Sequence, residues 1–105
     1  MNKLAIIARV SLSEASAPAY IEAIGQLTGP TRAEPGCDLY GIAVDVNDPT
    51  VVWISEQWDS QDALNEHLKT EHVQAFMAIA ANLEILDMDA RQYEVSSIGP
   101  VVIPE

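Results

Sequence analysis

Two histidines, His67 and His72, stand five residues apart, and a glutamate, Glu56, interrupts an apolar pattern upstream of them. Imidazoles accept protons near neutral pH, and a carboxylate beside one can hold its tautomer. On one straight helix the two rings would point about 140° apart. A helix break at Lys69-Thr70 would let both turn toward one pocket. His67 lies among Ala63, Leu64 and Leu68, so its ring points at the core. It reads either as a core histidine hydrogen-bonded to backbone or to Glu56, or as a general base or substrate-orienting group. Metal ligation has the least support, because no third ligand stands at a recognisable spacing from the pair. Glu56, between Ile54 and Trp58, is either paired, with Arg9 as partner, or raised in pKa for a catalytic role. Tyr40, Trp53, Trp58, Phe76 and Met77 read as core or as a box for a flat aromatic ring. Cys37 has no activating neighbour in sequence and reads as an inert thiol.

Larger signatures are absent. The 105 residues hold no glycine-rich nucleotide loop, no serine elbow, no Cys-x-x-Cys and no His-Glu-x-x-His, so flavin, nicotinamide and structural zinc have no motif. Five Lys+Arg against 16 Asp+Glu give a net charge of −11, which disfavours nucleic acid and anionic membrane surfaces as partners. No apolar run approaches the roughly 20 residues of a membrane span, and the N-terminus lacks the shape of a signal peptide. The single cysteine fits a reducing compartment, so the expected location is the cytoplasm. A composition of 49% hydrophobic and 20% charged residues folds. The length allows one domain over 1–105, with a core over about 3–96 and a tail over 97–105. A globular monomer of this mass would expose roughly 5,800 Å².

The elements that must position these side chains follow from apolar periodicity. Leu4 to Val10 reads as a strand buried on both faces, with Arg9 its one charge. Pro18 suits a helix start, and Ile21, Ile24 and Leu27 form an apolar stripe that Gly29-Pro30 should kink or end. Pro35-Gly36 marks a turn. Cys37 to Val46 and Val51 to Trp58 read as a hairpin about Asn47-Asp48-Pro49, with Tyr40, Ile42, Val44 and Val46 on one face. Ser60 caps a helix carrying Ala63, Leu64, His67 and Leu68, and Thr70 caps a restart carrying Val73, Phe76, Met77 and Ala80. Leu86 to Val95 is a fourth strand, on which Asp87 and Asp89 form a solvated edge. The order β-α-β-β-α-β is the α+β, ferredoxin-like split βαβ arrangement. Its helices cover one sheet face, and the apolar residues left on the other predict a homodimer packed sheet to sheet.

The ordered set Glu34-Pro35-Gly36-Cys37, Tyr40, Asp48-Pro49, Glu56-Gln57-Trp58-Asp59-Ser60, Ala63-Leu64 and His67-Leu68-Lys69-Thr70-Glu71-His72 resembles the antibiotic-biosynthesis monooxygenase family. Within it the stretch from Glu56 to Phe76 is most similar to the small bacterial quinol monooxygenases. The resemblance covers about residues 3 to 96. It implies a dimeric α/β barrel of ferredoxin-like subunits. It also implies oxidation of quinols or polycyclic phenols by O₂ with no cofactor and no metal. A second branch isomerises a phosphorylated dione and carries a similarly spaced histidine pair; a shortage of cations speaks against a phosphorylated substrate here. Haem-degrading relatives use an asparagine, a tryptophan and a histidine at places that fall near Ile7 or Ala8, at His67 and near Met77, and none of the three is present. On the oxygenase reading His67 is the base, His72 its second, and Glu56 fixes a tautomer. Tyr40, Trp58 and Phe76 would stack on the ring, Met77 would fill the remaining space, and Arg9 would line the site. A dimer that only binds a metabolite is the non-catalytic alternative.

Overall fold

The computed structural model describes residues 2–105. Seven elements follow in order: β1 Lys3–Leu12, α1 Ala17–Arg32, β2 Cys37–Asp45, β3 Asp48–Trp58, α2 Gln61–Leu68, α3 Glu71–Ala80 and β4 Ile85–Val95. The strands form one sheet in the order β2-β3-β1-β4, and each neighbouring pair is antiparallel. This is the α+β, ferredoxin-like arrangement, with its second helix split into α2 and α3.

Strand alternation sorts the two sheet faces. Register pairs Ile6 with Glu56, Ala8 with Ile54 and Val10 with Val52, while Glu56 also faces Tyr40 on β2. These residues share the helix-covered face. There Val10, Leu12, Val52, Ile54 and Tyr40 pack against Tyr20, Ile24 and Leu27 of α1 and Val73 of α3. A second cluster, Leu4, Trp58 and Leu64, closes the sheet onto α2. The opposite face carries Ile7, Arg9, Trp53, Arg91 and Tyr93. No helix covers it.

Local details depart from the sequence pattern in four places. The buried stripe of α1 is Tyr20, Ile24, Leu27 and Thr31, and Ile21 sits at its rim. The helix runs through Gly29-Pro30 to Arg32. The proline falls near the C-terminal end, where few turns depend on its missing N–H, and burial of Thr31 holds the last turn in place. Val46 lies in the hairpin turn beyond β2 and is 96% exposed. Asp48 and Pro49 belong to β3, where pairing jumps from Val44↔Val52 to Asp45↔Asp48 in a bulge.

One glycine is required by geometry. Gly36 has φ +83°, and a Cβ on it would lie 2.7 Å from the Ala63 Cβ of α2. The turn it makes is tied down by Asp59 N–H donating to the Gly36 carbonyl at 2.8 Å. This turn therefore rests directly on α2. Gly36→Ala combines a left-handed backbone with a clash against helix backbone-proximal carbon, so we expect a loss of about 2 kcal/mol or more in urea unfolding followed by tryptophan fluorescence. An unchanged midpoint would mean that the turn does not need its close approach to α2.

Candidate active site

Two side-chain caps build the bend that carries both histidines. Ser60 Oγ accepts from Ala63 N–H and starts α2. Thr70 Oγ1 accepts from Val73 N–H at the start of α3 and donates to the His67 carbonyl at 2.7 Å. One hydroxyl thus ends the first helix and begins the second. The bend at Lys69-Thr70 turns His67 from the end of α2 and His72 from the first turn of α3 toward the same point.

That point is a single carboxylate oxygen. Glu34 Oε2 lies 2.7 Å from His67 Nδ1 and 2.7 Å from His72 Nε2. Glu34 stands just after α1, in a turn fixed by Glu34 N–H donating to the Thr31 carbonyl and Cys37 N–H donating to the Glu34 carbonyl. The His67 side chain is 5% exposed, that of Glu34 11%, and that of His72 26%. No lysine or arginine pairs with Glu34 among the described residues. The two imidazoles are its polar side-chain partners.

His67 is backed by aromatic rings. The indole of Trp58 lies 4.6 Å away at 35° between planes, and Tyr40 lies 6.0 Å away. Trp58 is fully buried and Tyr40 nearly so. Both pack behind the histidine, out of solvent. Burial pushes the Tyr40 phenol well above its ordinary pKa and Tyr20 to about 12, so neither ionises at neutral pH.

The ring hydrogen bonds of both histidines go to Glu34, and Glu56 bonds the indole of Trp58. Its Oε1 accepts from Trp58 Nε1–H at 2.9 Å, and burial raises its pKa. Arg9 cannot reach it: alternation along β1 puts Arg9 on the opposite sheet face, where Nη1 donates to Ser11 Oγ and the guanidinium lies 6.0 Å from the Trp53 ring centroid. Met77 is half exposed and stands outside the histidine cluster. Phe76 packs edge-on against Tyr20 at 5.4 Å and, with His72 and Leu27, lines a shallow groove between α1 and α3. Burial raises the Cys37 thiol above its usual value, in keeping with an unreactive side chain.

The partner of both histidines is therefore Glu34, 33 and 38 residues upstream of them. The sequence signal that could have found it is its place directly before Pro35-Gly36, at the end of a helix. On its other side Glu34 lines an open cleft of about 540 Å³ between the Pro35-Gly36 turn and α2, with Ser60, Ala63 and Thr70 in its wall. Asp59, Asp62 and Glu66 make its rim acidic.

The comparisons agree with this architecture. The sequence profile described as antibiotic biosynthesis monooxygenase matches residues 4–79. Among curated proteins, none is matched by the chain. A crystal structure from Pseudomonas aeruginosa superposes with TM-score 0.84 at 28% identity, covering 92% of this chain and 97% of that one. One from Bacteroides thetaiotaomicron, with oxidoreductase as its suggested role, gives 0.81 at 26%, covering 90% and 98%. One from Deinococcus radiodurans, provisionally named an antibiotic biosynthesis monooxygenase, gives 0.84 at 24%, covering 94% and 98%, which speaks for the fold alone. With the profile spanning most of the chain and the fold agreeing over nearly all of it, this protein belongs to the antibiotic biosynthesis monooxygenase family.

Proposed function

We propose that the protein is a cofactor-independent monooxygenase acting on a quinol or polycyclic phenol, with the Glu34–His67–His72 cluster as its proton acceptor. The observation that carries this reading is the single carboxylate oxygen shared by two imidazoles beside a cleft large enough for a fused-ring substrate. A phenol has a pKa of about 10 and histidine about 6.5, so transfer to an isolated imidazole is uphill by several kcal/mol. The Glu34 carboxyl group is placed to hydrogen-bond the imidazolium that forms. Neither Trp58 nor Tyr40 holds the substrate in this account; they fix the ring of His67.

The resulting phenolate supplies the electrons. One electron passes to O₂, giving superoxide and a phenoxyl radical, and the pair recombines at a ring carbon as a peroxide. The imidazolium returns the proton to the terminal oxygen. Loss of the hydrogen on that carbon with O–O cleavage then gives the ketone of a quinone and water. One oxygen atom stays in the product and one leaves as water, so no external reductant is needed.

Charge narrows the substrate. The cleft rim is acidic, and all five cations are engaged elsewhere: Lys3 by Asp38 and Asp59, Lys69 by Glu66, Arg91 by Asp89, Arg32 by the Tyr40 carbonyl and Arg9 by Ser11. Nothing there would hold a phosphate, which favours a neutral aromatic over a phosphorylated dione. Oxygen uptake with a panel of naphthoquinols and anthrones tests the reading. Protein free of flavin and metal should turn over at least one of them, and Glu34→Gln and His67→Gln should each lower kcat by about a hundredfold. Product formed without O₂ would favour an isomerase, and binding without product a metabolite-binding dimer.

The same reading includes a homodimer through the open sheet face. The chain exposes 6803 Å², about 1,000 Å² more than the roughly 5,800 Å² of a globular monomer of its mass. Its extents of 44 × 38 × 21 Å describe a slab. Part of the excess is the tail, with Val101, Val102 and Ile103 in solvent, and part is the open face, with Ile7 and Tyr93 about half exposed. Ile7→Glu should convert a dimer to a folded monomer in sedimentation velocity at micromolar concentration; a wild-type monomer under those conditions would refute the assembly.

A further inference from the structure

We infer that Glu34, His67 and His72 also form a binding site for a divalent first-row transition ion, with zinc as the simplest probe. This goes beyond the proposed oxygenase function and does not rest on it. Glu34 Oε2, His67 Nδ1 and His72 Nε2 all lie within 4.8 Å of one another. Two imidazole nitrogens and one carboxylate oxygen suit zinc, iron(II), nickel or copper and do not suit calcium or magnesium.

Three features make the cluster more than an accidental grouping. Its members come from three separately anchored segments: the turn after α1, the end of α2 and the first turn of α3. His67 is held against Trp58, and Thr70 holds the bend between the histidines, so the donors are positioned before any ion arrives. The Glu34 side chain is 11% exposed, yet no lysine or arginine among the described residues pairs with it. A buried carboxylate facing two imidazoles gains a charge partner when a cation replaces the shared protons. Donors of a tetrahedral ion stand about 3.3 Å apart, so the two 2.7 Å contacts would open by about half an ångström and the two ring nitrogens, within 4.8 Å of each other, would adjust to that spacing. Three protein ligands would leave a position for water from the cleft that Glu34 lines.

Each neutral imidazole has one lone pair, and a ring that ligates through the nitrogen facing Glu34 carries its proton on the other nitrogen, so occupation and proton acceptance are mutually exclusive. A bound ion would therefore inhibit a reaction that needs the cluster as base. The test requires no substrate, so its outcome is independent of the oxygen-uptake result. Tag-free, chelator-treated protein is titrated with zinc by calorimetry and with cobalt(II) by visible absorption. One zinc per chain should bind with micromolar affinity or tighter and release protons. Glu34→Gln and His72→Gln, checked for fold by circular dichroism, should each weaken binding by about tenfold or more. Absence of saturable binding near millimolar zinc would overturn the site, as would folded variants that bind like wild type. Should a variant not fold, the wild-type cobalt spectrum decides alone: the bands of a low-coordinate nitrogen–oxygen site support the proposal, and the spectrum of the aqueous ion refutes it.

Discussion

A carboxylate taken almost out of water has to be answered by something, and in this protein two imidazoles answer it. Glu34 Oε2 bonds both His67 and His72 at 2.7 Å, and much of the surrounding structure holds these three groups together. Leaving such an anion unpaired would cost several kcal/mol, so the cluster is under structural pressure as well as chemical use. Two ring nitrogens and one carboxylate oxygen thereby converge within 4.8 Å of one another.

The backbone around the cluster serves that constraint. Gly36 adopts a left-handed conformation and presses against Ala63, which brings the turn carrying Glu34 onto α2. Thr70 divides what would be one helix into two and turns His72 back toward His67. Trp58, anchored by Glu56, presents its indole face to His67. Each of these residues acts on the site through geometry. A substitution at any of them should move the imidazoles before it removes a functional group.

The sheet separates two tasks by alternation. Its covered face builds the core and backs His67, whereas its open face carries Ile7, Arg9, Trp53 and Tyr93. Arg9 and Glu56 are close in strand register and nevertheless lie on opposite sides. An ion pair between them is excluded by the pleat alone. The open face and the extended tail leave this chain flatter and more exposed than its mass requires.

Apolar periodicity and capping residues alone determined the element order, the split of the second helix at Thr70 and the burial of His67, because these depend on neighbours a few positions away. Gly36 marked its turn for the same reason. The exposure of the Cys37 to Val46 strand end and the passage of α1 through Pro30 depended on packing that local pattern does not encode. The partner of the histidines belonged to that second kind. Glu56 was the nearer carboxylate in sequence, and Glu34 took the role because α1 ends beside α2 only once the sheet has assembled. A hydrogen bond across 33 residues has no period to be read; it exists when the intervening strands β2 and β3 have brought the two helix ends together.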